Sequence, residues 1–273
     1  MLDEALDLVD AARGAGVELR LVGGLAVLAL CSDPNGCRRE HRDLDFVAAR
    51  PSARRLLVVL AGAGYEENRH VRLASSGALL QVYRPCAHVG LSGRPIHEDD
   101  RVDVYLDAFR LHHTLPLRGR LRAHAYTLPA ADVLLAKLLR TGMSESDVLD
   151  AALLLRDLDV REDEAPGVIG SRYLASVCAR DWGLYHDVAG NLSRVAAAAD
   201  HLALDGAAAA RVRTAARGLA EALAQTRKGP RWRLRALLGE RLPWYEAVDE
   251  VQGERLAVRE RPQTGRSQHK AAA

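Results

Sequence analysis

Apolar residues recur at a helical period at the start of this chain and alternate with polar ones soon after. Leu2, Leu6, Val9 and Ala12 share one helical face, and Gly14 and Gly16 stop that helix. Alternation and β-branched content predict strands over 18–22, 42–48, 65–74, 78–84, 101–107 and 120–127. Helices are expected over 25–31 and 52–63. From Pro129 onward the pattern turns helical, with predicted segments at 130–141, 144–158, 169–179, 191–204 and 206–225. The expected class is α+β: a mixed β-sheet with flanking helices, followed by a helical part. This gives a domain at 1–128, a helical domain at 129–260 and a polar tail at 261–273 that is expected to be disordered. The stretch 85–100, which carries His88 and His97, reads as a long loop or lid.

Composition narrows the picture by exclusion. Across 273 residues, 48% are apolar but only 4% aromatic, so Ala, Leu and Val must build the core. A formal net charge of +2 argues against a protein that coats nucleic acid through bulk charge. No apolar run reaches the length of a membrane span, so no membrane association is expected. Met1-Leu2-Asp3-Glu4 lacks a signal-peptide pattern, which makes the cytoplasm the expected location. Cys31, Cys37, Cys86 and Cys178 have no C-x-x-C spacing, so neither zinc nor a disulfide framework is expected.

The most informative feature is acidic. In Asp43-Leu44-Asp45-Phe46 the carboxylates alternate with apolar residues. On a strand, residues i and i+2 face the same way, so Asp43 and Asp45 stand side by side as ligands for a pair of Mg²⁺ ions. Upstream, Gly23-Gly24 ends a strand and opens a helix, where bare backbone lets a phosphate approach the N–H groups. A third carboxylate is expected on Arg101-Val102-Asp103-Val104-Tyr105-Leu106-Asp107. There Asp103, Tyr105 and Asp107 share a face; Asp103 sits centrally and Asp107 at the strand end.

With the Gly pair followed by D-x-D on a strand, the chain resembles the nucleotidyltransferase superfamily over roughly its first 160 residues. Arg39, four residues before Asp43, is similar to the arginine of the abortive-infection (AbiEii-type) toxin branch, although His41 stands where that branch has Thr. Lys137, with Arg140 and Thr141, is similar to the lysine that this branch uses on the triphosphate. Ser146-Asp147-Val148-Leu149-Asp150 looks like its [S/T]-D-x-x-D motif, whereas its R-x-K-D motif has no match. The residues also admit local readings. Lys137 lies among Val133, Leu134 and Leu138, so it either snorkels or turns into a cleft. Ser144 can cap a helix with Asp147 three residues on. Asp150, between Leu153 and Leu154, requires a partner: Lys137, Arg140 or a bound nucleotide.

The resemblance implies a Mg²⁺-dependent enzyme, with a two-ion site, that transfers NMP from an NTP and releases pyrophosphate. Asp43, Asp45 and Asp103 would be catalytic and hold the metal; Gly23, Gly24, Arg39, Lys137 and Asp150 would bind the nucleotide. The leading version is an AbiEii-like toxin acting on tRNA or another macromolecule, with an antitoxin partner. One alternative is an aminoglycoside-type enzyme modifying a small molecule, for which Glu98, Asp99 and Asp100 offer acids to a polycation. Another is a non-catalytic partner-binding module, against which the intact acid set argues. Two features carry weaker messages. The basic run 227–235 around Trp232 suits RNA or a solvated helix start. Arg118, Arg120 and Arg122 read as an exposed strand edge beside a hairpin.

Overall fold

The computed structural model describes residues 1–32, 43–84 and 101–246. Arg39, His88, His97, the acids Glu98, Asp99 and Asp100, and the expected tail at 261–273 lie outside the described residues. The class is α+β, as expected.

A five-stranded mixed sheet is ordered β1 (Leu19–Leu21), β2 (Leu44–Ala48), β5 (Arg101–Leu106), β4 (Leu79–Tyr83), β3 (Glu66–Glu67). Only β2 and β5 run parallel; the other neighbours are antiparallel. The sheet's apolar face is fully buried at Leu44, Phe46, Val102 and Val104. Against it pack α1 (Leu2–Gly14), α2 (Gly23–Leu30) and α3 (Ala53–Gly62). The helical part holds α5 (Ala130–Leu138), α6 (Glu145–Asp157), α7 (Ser171–Cys178), α8 (Trp182–Ala198), α9 (Gly206–Gln225) and α10 (Pro230–Leu238). One hydrophobic core continues from the sheet into these helices through α5, which packs on α2.

Several elements differ from the pattern-based expectation, each for a local reason. The strand expected over 65–74 stops at Glu67 because Asn68 caps α4 (Arg69–Ala74), its side chain accepting from the Val71 N–H at 3.4 Å. The strand expected over 120–127 reduces to one parallel bridge, Leu21 with Thr127. Arg118–Arg120 is instead a 3₁₀ turn. Arg120 is no edge residue: it pairs with fully buried Asp132 at 2.7 Å and with Glu164. The hairpin lies earlier, as β6 (Ala108–Arg110) and β7 (Thr114–Pro116). Helix α8 begins well before the expected 191, because Asp181 caps it by accepting from the Leu184 N–H at 2.7 Å. A short parallel pair, β8 (Asp159–Arg161) and β9 (Val168–Gly170), gave no strand-length alternation to read.

Candidate active site

The acids converge because β2 and β5 are adjacent and parallel, in a register that sets Asp45 directly beside Asp103. Both side chains leave the face opposite the buried Phe46 and Val104. Asp45 also meets the glycine turn. Gly23 adopts φ +72°, and a Cβ there would lie 2.5 Å from Asp45 Oδ2. The Val22 N–H donates to the Asp45 carbonyl at 3.0 Å. The opening of α2 is thereby locked to the acid strand, and only a residue without a side chain fits at that contact. Gly24 follows in the first turn of α2 and is partly exposed.

Crowding sets the electrostatics. Burial, then the charges of Asp103 and Asp43, push the Asp45 carboxyl up to about 7, against the pull of Lys137 and Arg101. Burial likewise raises Asp103, although Arg101 and a hydrogen bond from Gln81 pull the other way. Gln81 Nε2 donates to Asp103 Oδ1 at 2.9 Å, and Asn68 Nδ2 donates to Gln81 Oε1 at the same distance. A hydrogen-bond chain therefore runs from the cap of α4 to Asp103. Asp43 precedes β2, is more exposed than Asp103, and accepts from Arg101 Nη2 at 2.8 Å.

Asp107 does not share the face of Asp103 and Tyr105, contrary to the alternation read along 101–107. It follows the last residue of β5 at φ +68°. Its Oδ1 accepts from the Arg50 N–H at 3.1 Å, and its carbonyl accepts from the N–H groups of Leu117 and Arg118. Asp107 secures a turn.

Lys137 is buried rather than snorkelling, and it forms ion pairs with Asp150 at 2.8 Å and Asp147 at 3.1 Å. Asp150 is 1% exposed, so Lys137 supplies the partner its position requires. Ser144 caps α6, accepting from the Asp147 N–H at 3.2 Å and donating to Asp147 Oδ2 at 2.7 Å. Burial opposes ionisation of Asp147, but Lys137, Ser144 and Arg140 outweigh it and hold its pKa below the ordinary value. Helices α5 and α6, which carry this cluster, both pack on α2, the helix that the glycine turn opens beside Asp45.

The donor set is made of hard oxygens and suits Mg²⁺. Asp45 and Asp103 crowd their charges as ligands of one cation do. Among the described residues no three His, Cys, Asp or Glu side chains form a ready-made metal site, and Asp43 is turned to Arg101. The fit is therefore good for two carboxylates and needs a side-chain rotation for the third.

Arg101, Gln81 and Asn68 escaped the sequence reading. Arg101 carried a signal, since it lies two residues before Asp103 on the same strand. Its approach to Asp43 depends on which strands are neighbours. The basic run 227–235 is partly structural. Lys228 donates to the carbonyl of Ala224 at 2.6 Å, and Trp232 packs edge-on against Tyr185 with 5.1 Å between centroids. Pro230 opens a helix there, which favours the helix-start reading of that run.

An α+β sheet with paired acids behind a glycine turn supports a protein of the nucleotidyltransferase superfamily. More particularly, residues 4–83 match the family model described as aminoglycoside-2''-adenylyltransferase, a nucleotidyltransferase family. The match spans Gly23, Gly24, Asp43 and Asp45 and ends before Asp103. It lends no support to the AbiEii branch. No curated protein matches the chain. Among the described residues no helix is long and apolar enough to cross a membrane.

Proposed function

We propose that this chain is a Mg²⁺-dependent nucleotidyltransferase that moves NMP from an NTP to a hydroxyl of a small polar acceptor. The observation that carries this reading is the in-register pair Asp45 and Asp103, with the Gly23 backbone packed against Asp45. When bound, Mg²⁺ would neutralise triphosphate oxygens and favour ionisation of the acceptor hydroxyl. Asp45 and Asp103 would hold it, joined by Asp43 once that side chain leaves Arg101.

The chain's own residues supply the rest. The N–H groups that open α2 at Gly23 and Gly24 face the triphosphate. Lys137 is aimed by its ion pairs with Asp147 and Asp150, and it approaches the same phosphates from the helical side. The nucleotide thus lies between the sheet part, 1–128, and the helices of 129–260. Asp103, raised by burial and oriented by Gln81, takes the proton of the acceptor hydroxyl. The acceptor oxygen bonds to the α-phosphorus as the bond to pyrophosphate breaks, and pyrophosphate leaves.

The family match favours an aminoglycoside-like acceptor. A toxin acting on tRNA, held in check by an antitoxin, is the second reading; the Asp147–Lys137–Asp150 cluster at the [S/T]-D-x-x-D segment favours it. The test is pyrophosphate release from each NTP with Mg²⁺, using an aminoglycoside panel and total tRNA as acceptors. Turnover with aminoglycosides that is lost in Asp45→Asn is the expected result. Labelled tRNA without labelled drug would move the assignment to the toxin. Neither product under any NTP would reject nucleotidyl transfer.

A further inference from the structure

Arg101 stands where the acid site needs a cation. The parallel register of β2 and β5 sets it beside Asp43, and alternation along β5 sets it on the face of Asp103. Its Nη2 lies 2.8 Å from Asp43 Oδ1 and its Nε 3.3 Å from Asp103 Oδ2. The side chain is only 18% exposed. Its Nε is buried and has no hydrogen-bond partner among the described residues, so the approach to Asp103 is charge attraction without hydrogen-bond alignment. No compensating donor geometry fixes the guanidinium at Asp103.

With all three ionised, as metal ligands are, Asp43, Asp45 and Asp103 set three carboxylates against one guanidinium, which leaves the charge of one divalent cation unmatched. Lys137 and Arg140 do not supply it, because Lys137 is paired with Asp147 and Asp150 and Arg140 with Asp147.

We propose that Arg101 is an internal counter-ion of the acid site. In the free protein it takes the charge position of one metal ion, and it gives way when metal arrives with the nucleotide. This rests on the nucleotidyl-transfer reading. Three consequences follow from it. The free protein holds divalent cations weakly, because Arg101 repels them and occupies Asp43. Asp43 becomes available only when Arg101 turns away. The displaced guanidinium, a planar fork matched to phosphate oxygens, then engages the triphosphate. Metal loading is in this way coupled to nucleotide arrival, and stray metal is kept out of the empty site.

The test is Mn²⁺ binding to the full chain, followed by electron paramagnetic resonance without nucleotide. Arg101→Met should bind Mn²⁺ about tenfold tighter or more, since a like charge is removed at contact distance. Arg101→Lys, which keeps the charge, should stay near the wild type. ATP affinity should fall about tenfold in Arg101→Met as the fork is lost. Arg101→Gln is a second neutral variant, read in the same way should the Met form fail to fold. Unchanged or weaker Mn²⁺ binding in a folded neutral variant overturns the proposal. The two readings fail differently. Wild type that binds no Mn²⁺ even with ATP undermines nucleotidyl transfer itself. Normal Mn²⁺·ATP binding with no gain in the neutral variants removes only the counter-ion role.

Discussion

Gly23 and Asp45 touch so closely that a single methyl group would not fit between them: a Cβ on Gly23 would lie 2.5 Å from Asp45 Oδ2. The glycine turn and the acid strand are therefore one unit. Gly23→Ala meets both this contact and the left-handed backbone at φ +72°. A loss of about 1–3 kcal/mol in urea unfolding is expected, together with loss of pyrophosphate release. Gly190→Ala, in α8 with open space around its Cβ, should leave pyrophosphate release unchanged and stabilise the fold by up to about 1 kcal/mol. Equal behaviour of the two variants would contradict the contact.

Asp45 makes the free protein sensitive to pH. A carboxyl raised on folding stabilises the fold while it is protonated, and that contribution is lost as pH rises through its folded pKa of about 7. The melting temperature of the metal-free wild type should thus fall between pH 5 and pH 8. Asp45→Asn should flatten this fall. Mg²⁺ added together with NTP should raise the wild type at pH 8 more than the variant. Parallel pH curves for the two proteins would show that Asp45 does not titrate as its surroundings dictate.

Asp103 and Asp107 separate by function although four residues apart on a strand-like run. Asp103→Asn should nearly eliminate turnover while the protein stays folded, because Gln81 still has an oxygen to bond. Asp107→Asn should retain turnover at a stability cost of under about 1 kcal/mol, since Asn tolerates positive φ and still accepts from the Arg50 N–H. Steady-state kinetics on both variants decide the matter. An inactive Asp107→Asn with an active Asp103→Asn would reverse the assignment.

Lys137 has a structural task beside any contact with nucleotide. Lys137→Ala would leave Asp150, 1% exposed, without this partner. Removing one member of a buried pair costs roughly 3–5 kcal/mol, so denaturant unfolding should shift strongly. The double variant Lys137→Met, Asp150→Leu should recover much of that stability yet bind NTP more weakly than the wild type, with nucleoside binding unchanged. Wild-type NTP affinity in the double variant would confine Lys137 to packing.

The sequence by itself determined the acid-bearing strands, the glycine turn and the helices α5, α6, α7 and α9. Each is encoded locally, in alternation, in the glycine pair, or in a helical period such as that of 206–225, which matches α9 from end to end. Ser144 as a cap and the need of Asp150 for a cation were legible for the same reason, since a buried carboxylate at a known helical position demands a partner. What only the tertiary structure decided were the neighbours. Arg101 meets Asp43, and Gln81 meets Asp103, because β5 lies between β2 and β4, an order that alternation within one strand does not specify. The strand read at 65–74 gave way to an Asn68 cap, and Arg120 left its supposed edge for buried Asp132. In both places a hydrogen bond or an ion pair outweighed a weak local β preference. Local periodicity fixes which way a side chain points; the packing of distant segments fixes what it finds there.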